Sequence, residues 1–238
     1  DGSWNTWGRG WYGMLGDGQH RSSYYQTTAI PHQVLNAVQE QVVDVKMSNG
    51  HMIVLMTDGY LYGLGANDNY QLGNGNNTQQ LALVPCTWFH DIVDSGWTIK
   101  HFIINTAGTM VCFTNGSIDK VYSAGRNVNH GLMIGGTIHT TYSSLQLAHA
   151  VNGPYLDDGS HVVEDMRGQN YTTQVLLRNT TTDIKTWYVI GYVRKRVESY
   201  GVYLSSSDIQ TTLIASDRYT TFLNTYPDAV LAAGYRWA

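Results

Sequence analysis

The sequence predicts an almost all-β protein built from repeated units. A short phrase consisting of a turn, an apolar strand and a glycine recurs along the chain, and no stretch carries a sustained helical period. β-Branched and aromatic residues fill the strands, while glycine and asparagine, which readily adopt left-handed backbone conformations, stand at the corners. The best helical candidate, residues 34–45, includes Gln39, Glu40 and Gln41 and predicts at most one short helix or turn.

The recurring phrase begins at five turn residues, Asp1, Asp58, Asn115, Asp183 and Asp228. The first two spacings are both 57 residues, and the later ones vary as loop insertions and deletions would make them. One domain over residues 1–238 is expected, because repeats of this kind pack into a single unit. The predicted repeats cover approximately residues 1–57, 58–114, 115–182 and 183–238.

An apolar run precedes each of the last four turns. These runs are residues 51–56, 108–113, 171–177 and 219–223. Two β-rich runs joined by Asp-Gly or Asn-Gly predict a hairpin, because both central positions of that turn need positive φ. The first turn has no such run before it, since the sequence starts inside the turn at Asp1.

A glycine-rich corner follows the first two phrases. Residues 7–18 are WGRGWYGMLGDG, and residues 64–75 are LGANDNYQLGNG. This corner resembles the repeats of the regulator of chromosome condensation family, apolar-Gly-x-Asn-x-x-Gly-Gln-Leu-Gly-x-Gly followed by a Pro-x-x-Val strand. Tyr70 replaces one of the family's glycines, residues 29–34 match the proline strand, and residues 124–132 form a looser third copy.

The resemblance implies a β-propeller, in which each repeat forms a four-stranded antiparallel sheet and the sheets pack radially. The repeats predict about four to five blades, whereas the best-known family members have seven. Either four blades close on themselves with one redundant strand, or the chain is a fragment whose missing partner strand lies upstream or on another molecule. An exposed strand edge is an aggregation hazard, so something should pair with it. Asp1 in place of methionine favours a trimmed or processed product.

Composition argues against several partners. The formal net charge is −4 at pH 7 and only 13% of the residues are charged, whereas nucleic-acid binding needs a concentrated excess of lysine and arginine. We therefore expect no nucleic-acid partner. No apolar run reaches the roughly 18 residues of a membrane span. Cys86 and Cys112 share no motif, and we expect them to behave as small buried apolar residues.

Metal and catalytic signatures are missing from the sequence. None of the nine histidines shows a metal-binding spacing, and the family resemblance implies a structural hydrogen bond for His51. Residues 67–69 and 157–159 do not complete a calcium loop. Glu164 and Asp165 are adjacent, so on a strand they point to opposite faces and do not share one substrate. The sequence therefore predicts a non-enzymatic protein without a metal or cofactor.

The repeated β scaffold and its variable loops favour a binding function for this chain. A rigid β scaffold with variable loops rich in tyrosine, tryptophan, serine and asparagine is typical of recognition. The candidate contact residues are Trp11, Tyr12, His20, Arg21, Tyr24, Tyr25, Tyr142, Tyr155, Arg194 and Arg196. For Arg194 and Arg196, the sequence favours a solvated strand or turn over ligand contact. Trp88 and Phe89 are expected in the core between blades.

Few lysines, abundant Thr, Asn, Gly and Tyr, and a degenerate repeat resemble the exposed domains of bacteriophage tail fibres. The leading hypothesis is a virion structural or receptor-binding domain, located on the virion or extracellular, that contacts a host-surface glycan or protein receptor or another virion protein. One alternative is an intracellular protein-interaction module such as a small-GTPase exchange factor, and another is a bacterial secreted or surface adhesin. A homo-oligomer is compatible with the sequence, although no heptad encodes one.

Overall fold

The computed structural model describes residues 2–20, 25–192 and 209–215, which are almost entirely β. In this part of the chain, antiparallel strands form one two-stranded and three four-stranded sheets. We number the sheets one to four along the chain. Strands that follow one another in sequence are neighbours in every sheet, so the whole architecture is a series of meanders.

The first sheet contains two strands, β1 (Asn5–Arg9) and β2 (Tyr25–Pro31). A 3-10 turn, Trp11–Gly13, follows β1, and one turn of helix, α1 (Gln33–Asn36), follows β2. His32 caps α1, because its Nδ1 accepts a hydrogen bond from the Leu35 amide at 3.1 Å. The helix or turn predicted within residues 34–45 is therefore present, in its short form.

The second sheet has four strands in chain order. They are β3 (Val42–Met47), β4 (His51–Met56), β5 (Leu61–Gly65) and β6 (Gln80–Pro85). A 3-10 turn, Gln39–Gln41, leads into β3, and the helix α2 (Thr87–Asp94) follows β6.

The third and fourth sheets repeat this order. The third contains β7 (Thr98–Ile104), β8 (Gly108–Thr114), β9 (Asp119–Asn127) and β10 (Thr140–Leu147). A 3-10 turn, Val128–His130, follows β9, and a helical turn, α3 (His149–Val151), runs into a π-helical turn, Asn152–Leu156. The fourth contains β11 (His161–Gln169), β12 (Thr172–Asn179), β13 (Lys185–Tyr192) and β14 (Ile209–Ala215).

The predicted hairpins are confirmed for three turns. The turns at Asp58, Asn115 and Asp183 join β4 to β5, β8 to β9 and β12 to β13. Each turn therefore lies between the second and third strands of its sheet. A repeat counted from the turn begins in the middle of a sheet, whereas the structural unit begins at β3, β7 or β11.

The hydrophobic cores lie between adjacent sheets. Phe89, which follows the second sheet, packs with Phe102 and Phe113 of the third sheet, and all three side chains are buried. Met110 of the third sheet lies in one cluster with Val175 of the fourth. The prediction of a core position is confirmed for Phe89, while Trp88 is half-buried against the same cluster. Each sheet therefore stabilises its neighbours through its two faces.

A threonine hydroxyl also joins each pair of complete sheets. Thr109, the second residue of β8, donates to the Gln71 carbonyl at 2.6 Å, and Thr173, the second residue of β12, donates to the Gly131 carbonyl at 2.6 Å. Both threonines are fully buried. The repeat thus positions the same hydrogen bond at two successive sheet junctions.

A buried carboxylate adds a second contact between the third and fourth sheets. Asp119, whose side chain is 2% exposed, forms an ion pair with Lys100 at 2.7 Å. The same oxygen accepts a hydrogen bond from the Val163 amide of β11 at 2.8 Å. Because both partners reach one carboxylate, the charge is compensated inside the protein.

A glycine at the end of the third strand lets the second strand approach closely. Gly65, Gly125 and Gly191 have φ values of +110°, +123° and +108°. A Cβ at these positions would collide with the backbone carbonyls of Gly50, Ala107 and Tyr171. The recurring glycine therefore provides both a left-handed conformation and room for the neighbouring strand.

Cys86 and Cys112 are free thiols with fully buried side chains. Burial raises the pKa of both thiols, which therefore stay protonated and unreactive at neutral pH. The prediction that they act as small apolar core residues is confirmed.

Candidate binding surface

Aromatic residues from the first sheet converge on the side chain of Arg9. The Arg9 guanidinium lies 3.6 Å from the centroid of the Trp11 ring and 5.1 Å from that of Tyr25. Its Nε donates a hydrogen bond to the Tyr25 hydroxyl at 3.1 Å, and Nη2 donates to the same oxygen. Arg9 and Tyr25 are opposite each other in the β1–β2 pair, so strand register creates this contact.

The cluster continues from Trp11 towards the second sheet. The Tyr12 ring meets Trp11 edge-on at 6.4 Å and meets His20 at 5.7 Å. The His20 Nδ1 lies 3.1 Å from Nε2 of Gln79, which precedes β6. Tyr12 has a φ of 55°, a left-handed conformation that turns the chain after β1. The contact between His20 and Gln79 therefore connects the first sheet to the second at this surface.

Three of the aromatic side chains here are strongly exposed. Trp7 is 68% exposed, Tyr25 57% and Trp4 37%, and these are the large aromatic residues most exposed to solvent in the described part of the chain. We call the aromatic surface the cluster Arg9, Trp11, Tyr12, His20 and Tyr25, together with the exposed Trp7, which lies two residues before Arg9 on β1. An exposed group of this kind indicates a contact site more strongly than isolated surface residues do.

The structure brings four of the predicted contact residues together in this surface, namely Trp11, Tyr12, His20 and Tyr25. Sequence analysis missed Trp7 and Arg9, because both lie within a strand whose burial a single sequence does not show. Strand alternation explains the exposure of Trp7, because Thr6, the residue before it, is buried and strand neighbours point to opposite faces.

Two further predicted residues lie elsewhere. Tyr142 of β10 and Tyr155 are half-buried against the core between the third and fourth sheets. The Tyr155 ring lies 4.9 Å from Tyr188 and 5.4 Å from His161. Burial, followed by the proximity of Tyr155, raises the pKa of Tyr188 to about 12. These rings pack against the core between the third and fourth sheets, whereas the aromatic surface belongs to the first sheet.

The remaining predicted contact residues lie outside the described residues. They are Arg21, Tyr24, Arg194 and Arg196.

The carboxylates that sequence analysis considered for catalysis form ion pairs. Glu164 pairs with Arg178 at 2.6 Å and with Lys185 at 3.1 Å, and the hydrogen bond from Arg178 lowers the pKa of Glu164. Asp165 pairs with Arg167 at 2.8 Å. Across residues 2–20 and 25–192, we find no group of three metal-ligating side chains that could hold an ion. Both carboxylates are therefore compensated by neighbouring cations.

The histidine expected to be structural makes the expected contact. The His51 Nδ1 lies 2.9 Å from the Ser48 hydroxyl, and its Nε2 lies 3.4 Å from Thr109 in the third sheet. Its side chain is fully buried, and burial lowers the pKa of His51 to about 4. The ring is therefore neutral at physiological pH, and its contact with Thr109 joins the second sheet to the third.

Comparison with known proteins gives related folds. No protein-family model matches the chain. The chain is 29% identical over 163 residues to the ultraviolet-B receptor UVR8 of Arabidopsis thaliana, a match that covers 66% of this chain and 32% of UVR8. Human WBSCR16 superposes with a TM-score of 0.60 at 14% identity, over 90% of this chain and 48% of that structure.

Yeast RCC1 (Prp20), solved bound to Kap60, also superposes with a TM-score of 0.60, at 14% identity, over 89% of this chain and 44% of that chain. The chain has a regulator of chromosome condensation-like β-propeller fold. The propeller predicted from the glycine corner is thereby confirmed, and the second, third and fourth sheets are complete blades. The chain spans about a third of the length of UVR8 and less than half of either solved structure.

Proposed function

We propose that this RCC1-like propeller is a non-enzymatic protein-binding module that contacts its partner through the aromatic surface. The observation that carries the proposal is the Arg9 guanidinium held against Trp11 and Tyr25. Tryptophan, tyrosine and arginine are the residues that dominate binding energy in protein interfaces. Cation–π contact and hydrogen bonding already order these side chains. They therefore lose less conformational entropy when a partner binds.

The fold supports a recognition role. Yeast RCC1 (Prp20), which shares the fold, is bound to another protein, Kap60, in its solved complex. Sheets packed face to face make a rigid scaffold, and the segments between strands carry the contacts. Within the described residues, no helix is long and apolar enough to cross a membrane.

The tail-fibre hypothesis has no support beyond composition. The relatives named above come from a plant, human and yeast, and none of them is a virion protein. An intracellular interaction module fits these relatives better than a host-attachment domain does. The virion or extracellular location, the host-surface receptor and the adhesin alternative remain predictions that no relative named here supports.

The proposal is tested by placing a photo-crosslinking amino acid at position 7 of the purified chain. Extract from the source cells is added, and we expect a protease-sensitive adduct with a protein partner. The matched control carries the same amino acid at position 184, because Ile184, in the turn between β12 and β13, is 58% exposed and lies outside the aromatic surface. The control should give no such adduct.

Affinity for the captured protein then locates the contact. Tyr25→Ala should weaken binding by at least about tenfold, whereas Ile184→Ala should leave binding unchanged. Equal adducts at both positions, or saturable glycan binding that falls in Tyr25→Ala, would contradict the proposal. If the captured protein is a small GTPase, its rate of nucleotide release distinguishes a binder, which leaves the rate unchanged, from an exchange factor.

A further inference from the structure

The sequence contains four Asn-Gly pairs, which begin at Asn49, Asn74, Asn115 and Asn152. In such a pair, the backbone nitrogen of the glycine can attack the side-chain carbonyl carbon of the asparagine, because glycine has no Cβ to obstruct the approach. The attack displaces the side-chain amide and needs both groups to be free to meet. The fold therefore decides which of the four pairs reacts while the chain is folded.

Two of the pairs are held by the side chain of the asparagine. Asn152 is fully buried, its Nδ2 donates to the carbonyls of Val121 and Ala148, both at 2.8 Å, and its Oδ1 accepts from the Val121 amide at 3.0 Å. The Oδ1 of Asn74, a half-buried residue, accepts a hydrogen bond from Nδ2 of Asn67 at 2.8 Å. Neither side chain reaches its glycine without giving up these hydrogen bonds.

The pair at Asn115 is exposed, but both of its reacting groups are held. The Asn115 Oδ1 accepts hydrogen bonds from the amides of Ser117 and Ile118, each at 3.0 Å. The Gly116 amide, which would be the nucleophile, donates to Thr114 Oγ1 at 3.2 Å. The hairpin turn therefore opposes the reaction at this pair, although solvent reaches it.

The pair at Asn49 is exposed and lies in the loop between β3 and β4. The Ser48 amide closes this loop by donating to the His51 carbonyl at 3.0 Å. Within residues 2–20, 25–192 and 209–215, neither the Asn49 side chain nor the Gly50 amide forms a hydrogen bond. Both reacting groups are therefore free to meet, and water reaches the product.

We infer that Asn49 is a modification site of the folded chain, at which deamidation produces aspartate and isoaspartate. The Gly50 nitrogen bonds to the Asn49 side-chain carbonyl carbon, and the amide nitrogen leaves with the displaced proton as ammonia. Water then opens the cyclic imide. Cleavage of one C–N bond restores the main chain as aspartate, and cleavage of the other leaves the main chain running through the side chain as isoaspartate. The inference goes beyond the proposed function and does not depend on it.

Isoaspartate at this position alters a contact between the first and second sheets. A Cβ on Gly50 would lie 3.1 Å from Cδ2 of Tyr12, and the Gly50 carbonyl accepts a hydrogen bond from the Ala66 amide at 2.7 Å. Isoaspartate adds a methylene group to the main chain directly before Gly50. The Ala66 hydrogen bond should therefore weaken and the Tyr12 ring should shift, whereas aspartate, which keeps the main chain, leaves both in place.

Peptide mapping by mass spectrometry tests the site after the folded chain has been incubated at mildly alkaline pH. Asn49 should deamidate at least about tenfold faster than Asn115 and Asn152, because its reaction breaks none of the hydrogen bonds that hold those two. In urea, all four pairs should react at rates within about threefold of one another, since glycine follows each asparagine and the fold no longer distinguishes them. Asn49→Gln should remove the fast reaction, and the matched control Asn115→Gln should keep it.

Amide exchange at Ala66 tests the consequence for the sheet contact. Hydrophobic-interaction chromatography separates the isoaspartyl form from the incubated chain, and peptide mapping confirms its identity. Exchange of the Ala66 amide should be at least about tenfold faster in this form than in the unmodified chain, because its acceptor, the Gly50 carbonyl, is displaced. The control is Asn49→Asp, which carries the same charge on an unaltered main chain and should exchange at the native rate.

Either of two results would overturn the modification site. One is equal deamidation of Asn49 and Asn115 in the folded chain, which would assign the reaction to transient unfolding. The other is an Asn49 that reacts in urea but not in the folded chain, which would show that the loop holds the pair after all. Native exchange at Ala66 in the isoaspartyl form would overturn the consequence for the contact between the sheets.

Discussion

At the scale of single residues, His51 links acidity to stability. Its ring is fully buried between the second and third sheets, with Ser48 and Thr109 as its side-chain partners. Burial makes the charged form unfavourable, and the pKa of His51 falls to about 4. In the unfolded chain the pKa of histidine is about 6.5. The unfolded state therefore binds more protons than the folded state between these two pH values.

We predict that the free energy of unfolding falls as the pH is lowered from about 6.5 towards 4. The loss from His51 alone is on the order of 3 kcal/mol at the acid end, and the contribution is fully present above pH 6.5. The pKa values of His32, His101 and His130 are also lowered, in each case mainly by burial, so they act in the same direction. Urea unfolding at several pH values measures the slope.

The contribution of His51 is separated from the others by substitution. His51→Gln should be less stable at pH 7.5 and lose less stability on acidification than the native chain. His139→Gln, at an exposed position, is the control for replacing a histidine by glutamine. If His51→Gln shows the native slope, the ring titrates normally and the assignment is wrong.

At the scale of elements, the blades are joined by a hydrogen bond that the repeat places twice. Thr109 and Thr173 occupy the same position in β8 and β12, and each donates to a carbonyl of the preceding sheet's corner. In both cases a fully buried leucine, Leu72 or Leu132, follows the accepting residue. Packing and hydrogen bonding therefore act at one place on each junction.

We predict that Thr109→Val costs about 1–3 kcal/mol of stability. The valine keeps the shape of the side chain but leaves the buried Gln71 carbonyl without this donor. Thr98→Val is the matched control, because Thr98 also donates to a carbonyl, that of Thr114 at 3.2 Å, but is exposed. The control should stay within about 0.5 kcal/mol of the native chain in chemical denaturation. Equal losses in both variants would assign the effect to strand propensity.

The elements that the sequence predicted are those with strong local signals. Asp-Gly and Asn-Gly pairs identify the hairpins at Asp58 and Asn115, where the glycines, Gly59 and Gly116, have positive φ. The first strands β3, β7 and β11 were not identified. Charged residues such as Lys46, Lys100 and Arg167 interrupt their apolar pattern. In the structure, each of the three forms an ion pair with a carboxylate, which for Lys100 is Asp119 on another strand. Such compensation depends on the folded structure.

The helix α2 was also not predicted. Its eight residues are too few to establish a helical period, although Phe89, Ile92 and Val93 all face the core cluster. For the aromatic surface, tyrosine and tryptophan in loops were an adequate guide to Trp11 and Tyr25. The pairing of Tyr25 with Arg9 needed the register of β1 and β2, which a single sequence does not supply.

At the scale of the whole molecule, each core is shared by two neighbouring sheets. Phe89 lies in the cluster between the second and third sheets, and the fourth sheet contacts a different cluster. Proteins of this construction have stability that is a sum of units and nearest-neighbour interfaces. A single domain over residues 1–238 nevertheless requires that the interfaces are strong enough to make the units unfold together.

We predict that Phe89→Ala costs about 3–5 kcal/mol, because it leaves a cavity between two sheets. If the described chain is one cooperative unit, amide exchange in β12, remote from the cavity, should accelerate as much as exchange in β4 and β8. Trp88→Ala, at a half-buried neighbouring position, should cost less. Acceleration confined to β4 and β8 would show that the sheets open separately and would contradict the single-domain prediction.

The threonine hydrogen bonds and the shared cores have a consequence for how such a chain diversifies. Each of these contacts joins one sheet to the next, and none described here reaches past a neighbour. A tandem duplication that begins and ends at equivalent positions of the repeat therefore inserts one complete sheet, which we call a module. The two faces of the new module already match the surfaces of the sheets on either side. A chain built in this way can therefore gain or lose whole modules, and duplication changes the number of blades without altering the contacts within each junction.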